Sequence, residues 1–349
     1  MARHDAMNML MGSFGRFRRA LVVAVTALAL LGAGGIGGWM LHKHARQEEE
    51  PQRRLPLRMG GYRYINPLLE CDSARGALEN EIFLSFRRRI DALIGQWKEH
   101  SSVQHVSVYF RELNNGLSFG IDEQEKFFPA SLIKIPLLIA YLKAAEQDPL
   151  LLTKRLTYSG SRDMTDIQFF KPAVTLEPGR SYSVEELLRA MIVSSDNNAY
   201  YLLFANLSPK MQRAVFTDLG LQVPKVRNLD DYVTVGEYAA FFRILFNASY
   251  LSHEYSERAL ELLVEAEFTQ GLKAGLPQGL PVADKFGEWA PGGNDDIKQL
   301  HDCGIIYYPG QPYLLCVMSR GASYEDLAGV IGDVSRLTFS EVNRRYHAF

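Results

Sequence analysis

Hydrophobic residues recur along this chain with two spacings, which predict the order of its helices and strands. Apolar positions three and four residues apart predict helices over 77–99, 183–204, 234–248, 256–267 and 323–345. Short apolar runs bounded by turn residues predict strands over 106–110, 117–121, 282–287, 303–308 and 313–319. Because strands lie at both ends with helices between them, the pattern favours an α+β fold. We expect one antiparallel sheet with helices on its faces and an all-helical subdomain inserted between strands.

The N-terminal region follows a different pattern. Residues 20–41 contain no charge, and as a helix at ~1.5 Å per residue they would span about 33 Å, enough for a bilayer core. The run is long for a cleaved signal and lacks a clear A-x-A site, so we favour an uncleaved signal anchor over a signal peptide. Basic residues on both sides leave the orientation open. The charged, aperiodic stretch that follows, up to residue 62, is typical of a linker.

Composition narrows the possible functions. Apolar residues make up 47% of the chain, which excludes global disorder, and a net charge of −2 gives no basic signature for nucleic acid. Cys71, Cys303 and Cys316 show no CxxC or Cys/His spacing, so no metal is expected. With the PGQP turn centred on Gly310-Gln311, Cys303 and Cys316 would be diagonal neighbours, which disfavours a disulfide between them.

The apolar run FFPASLIKIPLLIAYLKAA (127–145) predicts a buried helix, yet Lys134 lies near its centre. Burying a lysine is unfavourable unless a partner compensates it, and burial lowers the lysine pKa. Ser131 lies three residues earlier, so both side chains fall on one helical face and Lys134 Nζ can reach Ser131 Oγ. A desolvated lysine can activate a serine nucleophile. The alternative is a serine N-cap with a lysine that extends to the surface.

Two further polar motifs follow. S-D-N at 195–197 interrupts the apolar helix LLRAMIVSSDNNAYYLLF, because polar side chains compete for its backbone hydrogen bonds. It is either a polar helix corner or a site where Ser195 relays a proton and Asn197 binds a substrate. K-F-G at 285–287 closes the strand PVADKFG. A lysine at a strand end is commonly solvated, and the glycine permits a close backbone approach.

The set S-x-x-K, S-D-N and K-x-G, in this order on a helix, a loop and a strand, resembles the class A β-lactamases and penicillin-binding proteins over roughly residues 77–345. The resemblance implies a five-stranded sheet beside an all-α lobe, with the site in the cleft between them. For catalysis it implies Ser131 as the nucleophile, Lys134 as its base partner and Ser195 as the proton relay to the leaving nitrogen. For substrate binding it implies Asn197 as the ligand of the substrate amide, Lys285 as the anchor of a substrate carboxylate, and Phe286 and Gly287 as further binding positions. The backbone N–H groups of Ser131 and Glu288 would form the oxyanion hole.

The chain departs from the family pattern in two places. Phe286 stands where the family has Thr or Ser, so a hydroxyl that would help bind the substrate carboxylate is missing. Class A β-lactamases hydrolyse the acyl-enzyme with a glutamate in an E-x-x-x-N pattern. The corresponding segment here, 217–233, contains no glutamate; its carboxylates are Asp218, Asp230 and Asp231. We interpret Asp230 and Asp231 as solvated turn residues.

These observations predict an active-site serine hydrolase that forms a Ser131 acyl-enzyme with a β-lactam or a related cell-wall amide, and that needs no cofactor. One alternative is a D,D-carboxypeptidase or transpeptidase that acts on peptidoglycan stem peptides and releases β-lactam adducts slowly. A second alternative is a non-catalytic wall-binding or β-lactam-sensing domain.

The resemblance also implies a location, because peptidoglycan and β-lactams are met outside the cytoplasm. We therefore expect a single-pass protein of the plasma (inner) membrane with an extracytoplasmic catalytic domain. Its predicted parts are a short basic cytoplasmic segment at 1–19, the transmembrane signal anchor at 20–41, the linker at 42–62 and the class A β-lactamase-like domain at 63–349.

Overall fold

A computed structural model describes residues 57–58, 61–70, 79–223, 231–290 and 297–346. The predicted anchor at 20–41, Cys71 and Asp230 lie outside this part of the chain. Among the helices that are described, none combines the length and the apolar character that a membrane crossing requires.

One five-stranded sheet forms the centre of the fold. Its strands are β1 Val103–Glu112, β2 Ser118–Ile121, β3 Val282–Trp289, β4 Lys298–Ile306 and β5 Tyr313–Gly321. Neighbouring strands are antiparallel, in the order β2-β1-β5-β4-β3. Two strands from the start of the domain therefore pair with three from its end, and β3 forms an edge. Three short ribbons accompany the sheet: Leu57–Arg58 with Leu68–Glu70, Lys126–Phe127 with Val233–Thr234, and Arg155–Thr157 with Ser181–Ser183.

Eight α-helices lie in the described residues: α1 Glu79–His100, α2 Lys134–Ala145, α3 Val184–Val193, α4 Asn197–Asn206, α5 Pro209–Asp218, α6 Val235–Phe246, α7 His253–Val264 and α8 Tyr324–Tyr346. Helix α5 is absent from the sequence prediction, and α7 begins three residues earlier than predicted. Ser252 explains the earlier start, because its side chain accepts a hydrogen bond from Tyr255 N and caps the helix. The predicted α+β fold, with its helical insertion between β2 and β3, is confirmed.

The central strand β5 divides the hydrophobic core in two. Leu314, Cys316 and Met318 belong to the cluster that includes the helical insertion, whereas Leu315 and Val317 belong to the cluster with α1 and α8. Successive side chains on a strand point to opposite faces, so both faces of β5 must be apolar. This explains why its sequence, YLLCVMSRG, is a continuous hydrophobic run instead of an alternating one.

The strand register corrects one sequence expectation. Cys303 on β4 and Cys316 on β5 are directly opposed, with Cα atoms 4.0 Å apart, and they form a disulfide. The last pair before the hairpin loop is Ile306 with Tyr313, which places the centre of the loop between residues 309 and 310. The prediction centred the turn one residue later, and such a shift turns directly opposed residues into diagonal ones.

Candidate active site

Ser131 lies in a single turn of 3-10 helix, Ala130–Ile133, that leads directly into α2. The residue that caps this turn makes no side-chain hydrogen bond, so the alternative of a capping serine is not supported. Ala130 has a φ of 51°, a backbone conformation that L-residues rarely adopt. Tyr238 Oη donates to Leu132 O at 3.1 Å and ties the turn to α6. The side chain of Ser131 stays partly exposed at the start of the helix.

Lys134 is buried, with 1% of its surface exposed. Its Nζ donates to Ser195 O at 2.7 Å and to Ser195 Oγ at 3.0 Å. Burial, together with the positive charge of Lys285, holds the pKa of Lys134 well below its ordinary value. The predicted hydrogen bond to Ser131 Oγ is not formed between these two described residues. Catalytic hydrogen bonds commonly close only when substrate binds.

Ser195 forms the junction between the helical lobe and the sheet. Helix α3 ends at Val193 and α4 begins at Asn197, as the polar motif predicts. Ser195 has a φ of 55°, and Asp196 caps α4 by accepting a hydrogen bond from Ala199 N. Lys285 Nζ donates to Ser195 Oγ at 2.9 Å, so this hydroxyl contacts both lysine ammonium groups.

The sheet side of the cleft contains buried charges around Lys285. Burial lowers the pKa of Lys285 to about 7, although the carboxylates of Asp302, Asp284 and Glu288 act in the opposite direction. Lys273 forms an ion pair with Asp284 at 2.8 Å. Burial also raises the pKa of Asp284 to about 6 and the pKa of Asp302 well above its ordinary value. This group of buried charges is absent from the sequence prediction.

Gly287 allows β3 to pass directly beside the Ser131 turn. A Cβ atom at this position would lie 2.9 Å from Pro129 O and 3.1 Å from Leu132 N. Only glycine fits this approach without displacing backbone atoms. The contact places the strand that carries Glu288 next to the turn that carries Ser131, which is the arrangement an oxyanion hole between their N–H groups requires.

The other predicted substrate positions are engaged within the protein. The Phe286 ring is 7% exposed and stacks on Phe268 with centroids 4.0 Å apart, so it offers little surface to a substrate. Asn197 is partly buried, and its Nδ2 donates to Met164 O at 3.1 Å.

A loop at 159–178 carries residues that sequence reasoning missed. Gln168 is buried, and its Nε2 donates to Ser195 O at 3.2 Å. Its Oε1 has no hydrogen-bond partner among the described residues. Phe170 N donates to both carboxylate oxygens of Glu288 at 3.1 Å. Asn198 accepts a hydrogen bond from Met164 N at 2.8 Å and holds the loop in place. The sequence offered one signal for this loop, the second asparagine of SDNN, Asn198. A polar side chain in an apolar helix needs hydrogen-bond partners from another segment when it is buried.

Two of the aspartates in segment 217–233 have structural partners. Asp231 accepts hydrogen bonds from Gln299 at 2.8 Å and from Arg320 at 2.5 Å, so its interpretation as a solvated turn residue is wrong. Asp218 accepts a hydrogen bond from Tyr250 Oη at 2.6 Å. Both oxygens of Asp231 are engaged, which leaves it poorly suited to activate a water molecule.

His301 supports the approach to Ser131 from β4. Burial lowers its pKa to about 4, so the imidazole is neutral at pH 7. Because Ser319 N donates to Nδ1 at 3.3 Å, the proton resides on Nε2, which donates to Phe128 O at 3.0 Å. Gln299 Oε1 accepts from Phe128 N, so both backbone groups of Phe128 are held.

Comparisons with known proteins agree with this geometry. A family model described as "Beta-lactamase enzyme family" matches residues 85–342, more than half of the chain. Beta-lactamase L2 of Stenotrophomonas maltophilia is 28% identical over 239 residues, which cover 64% of this chain and 76% of that protein.

Solved structures share the fold. A PBP-A mutant, solved as its acyl-enzyme complex with penicillin G, has a TM-score of 0.61 at 23% identity and covers 74% of this chain and 97% of that one. A class A beta-lactamase from Mycobacterium abscessus has a TM-score of 0.62 at 22% identity, with coverages of 73% and 99%. The family match extends from α1 into α8 and includes all three motifs, so this chain belongs to the beta-lactamase enzyme family.

Proposed function

We propose that this β-lactamase-like serine hydrolase acts on β-lactams or related cell-wall amides through an acyl-enzyme at Ser131. The observation that carries the proposal is the placement of Ser195 Oγ within 3.0 Å of both Lys134 Nζ and Lys285 Nζ, beside the turn that bears Ser131. A protein of similar fold also supports the proposal: the PBP-A mutant was solved as an acyl-enzyme complex with penicillin G.

Lys134 supplies the base. Its lowered pKa favours the neutral amine, and this form accepts the Ser131 hydroxyl proton while Oγ bonds to the substrate carbonyl carbon. The backbone N–H groups of Ser131 and Glu288 stabilise the oxyanion; one such donor is typically worth about 3–4 kcal/mol.

Ser195 completes the acylation. When the C–N bond breaks, Ser195 Oγ gives its proton to the leaving nitrogen and is reprotonated from Lys134, which bonds to it directly. The product is an ester of Ser131, and Lys134 is neutral again. The freed amine stays tethered to the acyl group when the substrate is a β-lactam and departs when it is an acyclic amide. Hydrolysis of the ester by water then returns the free serine and a carboxylic acid.

Hydrolysis of the ester is the slower half of this reaction. Segment 217–233 contains no glutamate, and the oxygens of Asp231 are engaged by Gln299 and Arg320. We therefore expect the adduct with a penicillin to persist. A D,D-peptidase acting on stem peptides would share this property.

Intact-mass spectrometry with benzylpenicillin tests the proposal. We expect a covalent adduct that Ser131→Ala abolishes and that the surface variant Ser340→Ala retains. Steady hydrolysis of a chromogenic cephalosporin by the wild-type protein, with no detectable adduct, would contradict slow deacylation. No adduct and no hydrolysis with any ester or lactam would favour a binding domain instead.

A further inference from the structure

The Lys285 ammonium has its hydrogen-bonding capacity used within the protein. The side chain is 1% exposed, and Nζ donates to Ser195 Oγ and to Phe286 O, each at 2.9 Å. The Phe286 ring occupies a further direction, with its centroid 4.1 Å from Nζ. An ammonium has three protons, so these contacts leave none directed at an incoming ligand.

Glu288 adds a negative charge at the same end of the cleft. It follows Gly287 on β3, its side chain is partly exposed, and its carboxylate is fixed by Phe170 N. Its charge acts on both Lys134 and Lys285. Burial raises the pKa of the Glu288 carboxyl, and the hydrogen bond from Phe170 and the charges of Lys134 and Lys285 oppose this shift. Glu288 therefore places a carboxylate on the edge strand, directly after Gly287.

Two buried carboxylates, in addition to Glu288, interact electrostatically with the Lys285 charge. Asp284 and Asp302 both act on this lysine, and Lys273 is already ion-paired with Asp284. A substrate carboxylate would thus meet a lysine whose charge is balanced inside the protein. It would also find no hydroxyl at position 286, where Phe286 stands in place of the family's Thr or Ser, and it would approach the Glu288 carboxylate.

We propose that the subsite beside Lys285 and Glu288 accepts an uncharged group of the acyl donor, such as an ester or a carboxamide, and discriminates against a free carboxylate. This inference rests on the proposed acyl-enzyme function and differs from the carboxylate anchor that the resemblance implies for Lys285. Glu288 is the specificity-determining residue, and Lys285 serves Ser195.

A matched pair of acyl donors tests the inference on the full-length protein. Benzylpenicillin and its methyl ester share the lactam and differ in the charge of one group. Rates of adduct formation at Ser131 are measured by intact mass, and each is divided by the rate of the same compound with hydroxide to correct for intrinsic reactivity. The ester-to-acid ratio cancels effects on the shared catalytic machinery.

We expect the wild-type ratio to favour the ester by about tenfold, which corresponds to ~1.4 kcal/mol. Glu288→Gln keeps the side-chain shape and removes the charge, so the ratio should fall towards one. Glu288→Asp keeps the charge and shortens the side chain, so the preference for the ester should persist.

Three results would overturn the inference. They are a wild-type preference for the acid, a ratio that Glu288→Gln leaves unchanged, and equal shifts in Glu288→Gln and Glu288→Asp, which would assign the effect to the Phe170 contact instead of the charge. Adducts that form with a preference for the acid would leave the proposed function intact. Absence of any adduct with either compound would overturn both.

Discussion

The two sides of the cleft each contribute one buried lysine to the same hydroxyl, yet they surround it differently. Lys134 extends from α2, and all the remaining residues in the first two turns of this helix are apolar. Lys285 extends from the sheet edge, where Asp284, Asp302 and Glu288 oppose the effect of burial. Burial lowers the pKa of both lysines, that of Lys134 well below its ordinary value and that of Lys285 to about 7.

This difference shows how a fold can assign two roles to one type of side chain. Desolvation disfavours the ammonium at both sites. At Lys134 the positive charge of Lys285 adds to this effect before Asp196 and Glu288 oppose it, whereas at Lys285 the carboxylates of Asp302, Asp284 and Glu288 oppose it most strongly. Lys134 is thereby suited to accept a proton, and Lys285 to keep a partial positive charge beside Ser195. Neither role is evident from the residues adjacent in sequence.

Replacing each lysine by arginine should separate these roles and gives the largest expected effect. Arginine stays protonated in proteins, so Lys134→Arg removes the proposed base and should lower the rate of Ser131 acylation by ~10²–10⁴-fold. The measurement is adduct formation with benzylpenicillin under pseudo-first-order conditions.

Lys285→Arg is the matched control, because it adds the same volume while keeping a positive charge. We expect a loss of about tenfold or less, equivalent to ~1.4 kcal/mol. Thermal melting of both variants checks that the buried arginine is tolerated. Equal losses in two folded variants would refute the division of roles.

On the sheet side, His301 should make the free energy of unfolding decrease as the pH falls. Its folded-state pKa of about 4 lies below the ordinary 6.5, so the unfolded chain binds the proton first as pH falls. The stabilising contribution is present above pH 6.5 and is lost towards pH 4, by about 3 kcal/mol. Asp284 and Asp302, whose pKa values are raised by burial, contribute in the opposite direction. Urea unfolding at pH 7 and pH 4 therefore isolates the His301 contribution when the wild type is compared with a variant that lacks the imidazole.

His301→Gln can keep both hydrogen bonds, to Phe128 O and from Ser319 N, without titrating. The variant should lose about 3 kcal/mol less than the wild type over the same pH interval. If wild type and variant lose the same free energy, His301 is not the source of the acid sensitivity.

The smallest expected effect concerns the contact that joins the two sides. Gly287→Ala places a Cβ 2.9 Å from Pro129 O, so the strand or the Ser131 turn must shift. We expect ~1–3 kcal/mol of destabilisation from overpacking, together with slower acylation, measured by melting temperature and adduct formation. Gly279→Ala is a poor control because of its positive φ, whereas Gly95→Ala lies in α1 with no atom near the new Cβ. Normal acylation in Gly287→Ala would show that the close approach is dispensable.

Much of the fold follows from periodicity. The helical spacing of α1, α6 and α8 and the apolar runs of β3 and β5 are local properties, and the structure places those elements within two residues of the predictions. Strand β4 begins at Lys298, five residues before its predicted start. Helix α5 was not predicted from periodicity because its sequence, PKMQRAVFTD, contains few apolar residues. Its start depends on Ser208, which accepts from Met211 N, and on Pro209 in the first turn.

The site was predictable in its parts but not in its environment. The i, i+3 spacing of Ser131 and Lys134 and the helix break at 195–197 are local, and both are present. The contacts of Gln168 and Phe170 are not local: Phe170 reaches Glu288 across 118 positions of sequence. No periodic pattern encodes such a pair.

The amino-acid sequence by itself determined the order of helices and strands and the face shared by Ser131 and Lys134. Each depends on backbone geometry over a few residues. Only the tertiary structure decided that Cys303 faces Cys316, that Ser195 lies between two ammonium groups, and that Asp284, Asp302 and Glu288 oppose the desolvation of Lys285. Register and pKa depend on burial and on charges contributed by distant segments, which meet only when the sheet and the helical lobe enclose them.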